Sequence, residues 1–182
     1  MSSRILKHID IELTKSSLNN AIKEVQFFQK QLVESMNELI RMLSDQGADV
    51  ARIQVASMDA VDTGELGHSI YGYYDPETRI GYVIAGAPHA FYVEYGTGPI
   101  GEENPHPAPE TANWQYNIGD TIGPAEILNP RHPEYGDGWW YPGDDGKPHW
   151  TSGQPSRPFM FNTLQWLEEA AETIASTVWN QM

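Results

Sequence analysis

The chain has 182 residues, and its 25 acidic against 11 basic side chains give a formal net charge of −14. Nonspecific DNA affinity comes from Lys and Arg side chains that displace counterions from phosphates, so this composition argues against a DNA-binding protein and against a polybasic membrane anchor. The chain contains no cysteine, which excludes disulfides, thiol catalysis, thiolate zinc sites and iron–sulfur clusters.

The N-terminal third predicts a strand followed by a long helix. Residues 4–13 alternate in polarity from Ile9 onward, as a half-buried edge strand does. The apolar spacing then changes to four and three residues, with Gln29 as the one interruption. The apolar members of this stripe are Leu18, Ile22, Val25, Leu32, Met36, Leu39 and Leu43. They predict one amphipathic helix from about Ser17 to about Met58, or two helices bent near Gly47, with the stripe in a core or a subunit seam.

A β-hairpin and a short helix are predicted next. His68–Tyr74 and Arg79–Gly86 are rich in Ile, Val and Tyr, and an Asp-Pro-Glu-Thr turn separates them. Proline fits the second position of a type I turn because its φ angle is fixed. Residues 87–95 then predict a short helix with Pro88 in its first turn, and a Gly-Thr-Gly sequence ends it.

The composition changes after this point. Residues 99–158 hold 11 of the 13 prolines and 8 of the 16 glycines, and we assign 99–156 as a Pro/Gly/Trp-rich insertion. Its four tryptophans argue against disorder, because disordered segments are poor in aromatic residues. We therefore expect an ordered, loop-rich excursion with a small hairpin. Residues 101–154 carry 9 acidic and 2 basic side chains, which is half of the excess negative charge.

A closing helix completes the predicted fold. It follows the sequence Arg-Pro-Phe-Met at 157–160, and its apolar residues are Leu164, Leu167, Ala171, Ile174 and Val178. We predict a single α+β domain over residues 1–182. In it, the hairpin, the N-terminal strand and a strand at 157–161 form a small antiparallel sheet, which packs against the long N-terminal and C-terminal helices.

One tripeptide suggests an enzyme. Asp62-Thr63-Gly64 matches the catalytic turn of aspartic proteases, which need two such carboxylates sharing one proton. The context argues against a protease, because Glu65 adds a second negative charge and the tripeptide lies between a helix and a hairpin. The favoured interpretation is that Asp62 or Thr63 caps a turn and that Gly64 allows the chain to reverse.

Metal and carbohydrate sites are weaker alternatives. His106, His132 and His149 lie in the insertion near acidic residues, but none has the spacing of a known zinc motif. Trp139 and Trp140 could form a sugar-stacking platform, although aromatic residues beside turns are more often local cores or interface anchors. We therefore assign no catalytic, cofactor-binding or metal-binding residue, and we expect no cofactor.

Two charged residues are embedded in apolar runs. Glu94 lies in Phe-Tyr-Val-Glu-Tyr, and Arg157 precedes Pro-Phe-Met-Phe. A buried charge is costly unless it has a partner, and a guanidinium is a good partner for a carboxylate. The sequence therefore predicts that Glu94 and Arg157 pair, within one subunit or between neighbours.

Three segments together resemble a known family. They are Val-Asp-Thr-Gly-Glu-Leu at 61–66 with Ser-Ile at 69–70, Ala-Phe-Tyr-Val-Glu-Tyr-Gly-Thr-Gly at 90–98, and Ser-Arg-Pro-Phe-Met at 156–160. In this order, after a long helix and before a closing helix, they resemble the tail-component family of long-tailed phages. The resemblance covers about residues 15–98 and 155–180, and the long insertion departs from the shortest members of that family.

The resemblance implies a non-enzymatic virion protein of the phage neck, made in the bacterial cytoplasm, that joins head to tail. It implies a homo-oligomeric ring, a hexamer, that contacts neck connector or stopper proteins and the tail tube or tail terminator. DNA would only pass through its lumen. The structural or interaction residues would be Asp62, Thr63, Gly64, Glu94, Gly96, Thr97, Arg157, Pro158 and Phe159. From its aromatic content we further predict that the insertion, which carries Trp139, Trp140 and Trp150, contacts a neighbouring subunit or neck protein.

The acidity then has two interpretations. Carboxylates facing the lumen would repel passing DNA, or acidic side chains would only keep the exterior soluble. The functional alternatives are a metal-dependent hydrolase or a protease built on the Asp-Thr-Gly tripeptide, and a carbohydrate-binding tail accessory protein.

Overall fold

The computed structural model describes residues 9, 12–59, 64–116, 138–142 and 145–180. Its elements are α1 (Lys15–Ser57), α2 (Glu65–His68), β1 (Ile70–Asp75), β2 (Ile80–Ala85), α3 (Ala90–Tyr95), α4 (Gly98–Glu103), a 3-10 helix (Pro109–Ala112), β3 (Trp139–Pro142), β4 (Pro148–Thr151) and α5 (Phe159–Trp179). The predicted α+β class is confirmed, because α1 packs against α5 and against the antiparallel β1–β2 pair.

Helix α1 is one continuous helix of 43 residues. Thr14 caps its start, where the Ser17 amide donates to the Thr14 hydroxyl oxygen at 3.2 Å. The helix runs through Gly47 without a break, so the single-helix form of the prediction is correct. Gly47 instead allows close packing, since a Cβ atom there would lie 2.7 Å from a Val83 methyl group and 3.1 Å from Leu167.

The core forms where the C-terminal half of α1 meets α2, α3, β1 and the start of α5. Its buried members are Ala48, Ala51, Val55, Leu66, Ile70, Ala87, Ala90, Val93 and Phe159. Small residues on α1 let the other elements approach closely, and Phe159, only 1% exposed, supplies the largest buried side chain. The core therefore lies on the C-terminal half of α1.

The predicted apolar stripe of α1 is mostly exposed in the single chain. Leu18, Ile22, Val25, Leu32 and Met36 are between 41% and 55% exposed. A core role is therefore wrong for this half of the stripe, and a subunit seam stays a prediction. Leu164 of the predicted α5 stripe is also exposed, whereas Ile174 and Val178 are buried.

The length of α5 explains this exposure. Helix α5 has 21 residues, about 31 Å at 1.5 Å per residue, whereas the 43 residues of α1 span about 65 Å. The two helices run antiparallel, because Phe159 joins Val55 in the core and Val178 lies beside Glu38. Helix α5 therefore ends beside the middle of α1.

The predicted hairpin is present as β1–β2 with its turn at residues 76–79, but its first strand begins at Ile70 because His68 belongs to α2. Its register runs from Ile70 opposite Ala85 to Asp75 opposite Ile80. On the outer face, the rings of Tyr73 and Tyr82 stack with centroids 6.0 Å apart. The inner face lies directly on α1.

The predicted third and fourth strands of the sheet are not part of it. A strand at 157–161 is wrong, because residues 155–158 are irregular and α5 begins at Phe159. The N-terminal strand falls mainly on residues outside the described part, and residues 12–14, which are described, are not in a strand. Among the described residues, the sheet on α1 therefore contains β1 and β2 alone.

The insertion contains regular structure, as predicted. Strands β3 and β4 form a second antiparallel hairpin with Trp140 opposite Trp150. Helix α4 was not predicted, because its sequence Gly-Pro-Ile-Gly-Glu-Glu has the composition of a loop. Residues 117–137 and 143–144 of the insertion lie outside the described residues. Across the described ranges, no helix has both the length and the apolar character needed to cross a bilayer.

The contact between the hairpin and α1 yields a test. A Cβ atom at Gly72 would lie 2.6 Å from the Ser44 carbonyl oxygen, so Gly72→Ala must push β1 away from α1. We expect a loss of about 1–3 kcal/mol in the free energy of unfolding, measured by thermal or denaturant unfolding. Gly67→Ala is the matched control, because no atom beyond its chain neighbours and its own helix backbone lies within 4 Å of its Cβ position. Equal stability of the two variants would contradict the packing described.

The hairpin turn predicts a pH effect. The Asp75 carboxylate accepts from the Thr78 hydroxyl at 2.7 Å and the Glu77 amide at 2.9 Å, and these bonds lower the pKa of Asp75 below its ordinary 3.8. Because this pKa is lower in the folded state, its stabilising effect is present above the unfolded-state pKa and is lost as the pH falls through the folded-state pKa. The melting-temperature difference between the native chain and Asp75→Asn should therefore shrink as the pH is lowered below 3.8. A constant difference would contradict this account.

Candidate functional site: the motif junction

Two of the three recognised segments are hydrogen-bonded to each other. The amide of Thr97 donates to the Gln154 carbonyl at 2.9 Å, and the amide of Gln154 donates to the Thr97 carbonyl at 3.0 Å. The Arg157 amide donates to the Val93 carbonyl at 2.8 Å. We call residues 92–97, His106 and residues 154–161 the motif junction.

Gly96 permits this close approach. It has a φ angle of 77°, which favours glycine, and a Cβ atom there would lie 2.6 Å from the Ser156 nitrogen. Thr97 follows as a buried residue, 7% exposed, in the bridge to Gln154. Gly96 and Thr97 are thus the residues at which segment 92–97 contacts segment 154–161.

The carboxylate of Glu94 is the centre of the junction. Glu94 is only 6% exposed. Its Oε2 accepts from the Met160 amide at 2.8 Å, and its Oε1 accepts from the Phe161 amide at 2.9 Å. Helix N-termini carry unpaired amides and a partial positive charge, so a carboxylate is stabilised there. Glu94 on α3 therefore caps α5, which has no side-chain cap of its own.

His106 supplies the third donor to Glu94. Its Nε2 lies 3.0 Å from Glu94 Oε1, and its Nδ1 lies 3.0 Å from the Ala108 amide nitrogen. Because the Ala108 amide can only donate, Nδ1 must accept, and the proton is therefore assigned to Nε2. His106 is 4% exposed, and its ring packs between Tyr95 and Phe161, with centroids at 4.3 Å and 5.4 Å.

The predicted pairing of Glu94 with Arg157 is wrong within the chain. Arg157 Nε donates to the Met58 carbonyl at 3.1 Å, and one of its terminal nitrogens donates to Gln154 Oε1 at 3.2 Å. Both oxygens of Glu94 are occupied by His106 and by the α5 amides. The apolar run around Glu94 did indicate a buried carboxylate that needs a partner, but backbone amides carry no sequence signal.

Pro158 and Phe159 set the direction in which α5 leaves the junction. Pro158 is the residue before the first turn, and Phe159 fills the core beside Val93. The Ser156 hydroxyl donates to the Glu94 carbonyl at 2.6 Å. Thus the Ser-Arg-Pro-Phe segment joins α1, α3 and α5.

Of the first segment that carries the resemblance, residues 61–66 with 69–70, the structure describes only residues from Gly64 onward. Asp62 and Thr63 lie outside the described residues, so their roles stay predictions. Gly64 has a φ angle of 80° and begins α2, and Leu66 is a core residue. This left-handed conformation favours glycine, and the chain reversal predicted at Gly64 stays a prediction because residues 60–63 lie outside the described part.

A cleft of about 770 Å³ adjoins this segment. Charged residues at its walls are Arg52, Asp59, Glu65 and Arg157, together with His89. His89 Nδ1 lies 4.0 Å from Glu65 Oε2, and the Arg157 side chain is engaged by the Met58 carbonyl and by Gln154. The cleft therefore brings α2 and α3 beside Arg157 of the junction.

The two predicted interaction tryptophans are half-buried. The Trp140 ring meets Trp150 edge-on at 5.4 Å, and a Cβ atom at Gly98 would lie 2.6 Å from the Trp139 ring. The β3–β4 hairpin thus packs on the start of α4. Tyr141 at the hairpin is 44% exposed.

The two described histidines of the insertion, His106 and His149, do not converge on one site. His106 binds Glu94, whereas His149 Nε2 lies 2.9 Å from Asp145 at the surface. The His149 side chain lowers the pKa of Asp145 below its ordinary value. Over the part of the chain that the structure describes, no three His, Asp or Glu side chains are grouped to hold a metal ion. His132 lies outside that part.

Comparison of the chain with protein-family models, with curated proteins and with solved structures finds no match.

Glu94 provides the sharpest test of the junction. Glu94→Ala leaves three donors without an acceptor, one buried on His106 and two part-buried amides of α5. Because each unsatisfied buried donor costs about 1–3 kcal/mol, we expect a loss of roughly 3 kcal/mol in the free energy of unfolding. Glu94→Gln keeps one carbonyl acceptor and should be less destabilised. Thermal and denaturant unfolding measure both variants. The control is Glu102→Gln, an exposed residue of α4, which should unfold like the native chain. A native-like Glu94→Ala would contradict the capping role.

Proposed function

We propose that the chain is a structural subunit of the neck of a long-tailed phage, where it joins head to tail without catalysis. It would assemble as a homo-oligomeric ring, a hexamer, between connector or stopper proteins and the tail tube or tail terminator. The genome would pass through the lumen without specific contacts. The proposed location of the protein is the virion.

The observation that carries the proposal is the convergence of the recognised segments. Val93, Glu94 and Thr97 of the second segment bond to residues 154–161, and Leu66 of the first segment packs in the same core. The described parts of the three segments that carry the resemblance thus meet in one structural unit. A chance resemblance of short motifs carries no expectation of such contacts.

The chemistry of the junction supports a structural role. A catalytic carboxylate must reach a substrate, but Glu94 is buried and both of its oxygens accept hydrogen bonds from the protein. His106 is buried with both ring nitrogens engaged. These groups hold α3, the segment after α4 and α5 together, which suits a subunit that has to transmit force between head and tail.

Exposed apolar surface supports assembly with other proteins. Besides the α1 stripe, the outer face of the β1–β2 hairpin carries Tyr71, Tyr73, Ile80 and Tyr82, each between 41% and 49% exposed. Apolar surfaces of this kind mark protein–protein contacts. A ring needs two different contact surfaces on each subunit, and the insertion with Tyr141 is the proposed contact to a neighbouring subunit or neck protein.

Gene inactivation in the phage tests this role. We expect cells infected with a phage that lacks the chain to accumulate filled heads and separate tails, visible by electron microscopy, because the joint between them is missing. Supply of the native chain from a plasmid should restore joined particles. Intact infectious particles without the chain would contradict the proposal, as would a failure in which heads do not form.

A further inference from the structure

The small sheet on α1 has an open edge at β2. The Gly86 amide donates to the Ser69 carbonyl at 3.1 Å, so these two opposed residues form a hydrogen-bonded pair, and such pairs alternate with non-bonded pairs along an antiparallel ladder. The backbone amides and carbonyls of Gly81, Val83 and Ala85 therefore point away from β1. Among the described residues no further strand pairs with β2. An edge of this kind is a template for one more strand.

An apolar groove lies beside this edge. It is lined by Leu43 and Ser44 of α1, Val83 of β2, and Leu164 and Leu167 of α5. We call this space, of about 400 Å³, the edge groove. Leu164 is 52% exposed in the single chain. The layer formed by α1 and α5 is thus wider than the two strands that cover it, and a third strand beside β2 would lie over α5.

The residues before α1 have a pattern that suits this place. We call residues 4–11 the arm. In an extended chain Ile9 and Ile11 lie on one face, whereas His8 and Asp10 lie on the other. A third strand formed by the arm would direct the isoleucines into the edge groove and the polar residues toward solvent. Strand addition works in this way, since the backbone groups supply hydrogen bonds and alternate side chains occupy pockets.

The arm cannot reach the edge groove of its own chain. Ile9 is six residues from Lys15, where α1 begins, which is at most about 21 Å in a fully extended chain. The α1 residue of the groove that lies closest to Lys15 is Ile40, about 37 Å along the helix at 1.5 Å per residue. Because α1 is one continuous helix, it holds the arm away from its own sheet. An arm that pairs with this edge therefore belongs to another copy.

Charge favours the arm over other apolar strands. Helix α5, which borders the groove, carries the exposed residues Glu168, Glu169 and Glu172 and no basic residue. The arm carries Arg4 and Lys7 against one acidic residue, in a chain whose net charge is −14. Complementary charges steer association and select partners. The arm is thus both the right shape and the right charge for the edge beside α5.

We propose that the arm of each copy adds as a third strand to β2 of a neighbouring copy, with Ile9 and Ile11 in the neighbour's edge groove. Each subunit then donates an arm at the start of α1 and accepts one beside α5, so its two contact surfaces differ. Head-to-tail contacts of this kind generate rings, and none of them has to lie on the ring axis. The inference rests on the ring of the proposed function and names the contact that joins its subunits.

Substitutions in the arm test the inference on the purified chain. We expect the native chain to be oligomeric by sedimentation velocity. Ile9→Ser/Ile11→Ser should weaken association at least about 100-fold, because two isoleucine side chains lose their burial. Leu6→Ser/His8→Ser alters the other face of the same arm and should associate like the native chain. None of these residues belongs to the core, so melting of the subunit body should change little.

Mixing two defective variants distinguishes the donor from the acceptor. Leu164→Asp places a charge in the edge groove, and because this side chain is 52% exposed in the single chain, the variant should fold. It keeps its arm, whereas Ile9→Ser/Ile11→Ser keeps its groove. We expect little association of either variant alone and a 1:1 pair, which grows no further, in the mixture. Gln165→Asp is the matched control, because Gln165 is exposed on α5 but does not line the groove.

Each result that would overturn the inference is distinct from a failure of the neck role. A native chain that is monomeric at all concentrations would overturn it, whatever other strand covers the edge. Native-like association of Ile9→Ser/Ile11→Ser, or a mixture of the two defective variants that forms no pair, would also overturn it. These measurements use purified protein, so arm exchange can fail while the chain still joins heads to tails. Arm exchange can equally be found while a phage that lacks the chain still forms intact particles.

Discussion

The fold depends on one buried carboxylate at the start of a helix. The side chain of Glu94, a residue of α3, accepts hydrogen bonds from two amides of α5 and from His106 of the insertion. The positive end of α5 and three donors together offset the cost of removing this charge from water. Because α5 begins here, its packing along α1 is set at this point. The insertion is tied to the same carboxylate, which makes it part of the domain rather than an appendage.

The elements that sequence periodicity predicted are those defined by local rules. The long helix, the first hairpin with its proline turn, and the closing helix follow from residue spacing and turn chemistry, which act over a few neighbours. The strand predicted at 157–161 failed because Arg157 to Phe161 is apolar enough for a strand, whereas the cap that starts a helix there comes from Glu94, more than sixty residues earlier in the chain. Tertiary contacts of this kind have no local signature.

The candidate site could be predicted only in part for the same reason. The apolar surroundings of Glu94 indicated that it is buried and needs a partner, but they could not distinguish a guanidinium from backbone amides. His106 was considered as a metal ligand, and its actual role depends on the fold of the loop before it. Burial was also misjudged for the first half of α1. Spacing identifies an apolar face, but the length of α5 decides how much of that face the chain covers by itself.

Within its described residues the chain is a packed subunit whose first helix carries an exposed apolar stripe, and we propose that such subunits assemble around an axis. A cryo-electron microscopy reconstruction of the virion neck tests this most directly. The account predicts a ring of density on the particle axis between head and tail. It should be fitted by copies of this chain arranged around a central lumen. A neck that is fully explained by other proteins, or a ring of this chain located elsewhere on the particle, would contradict it.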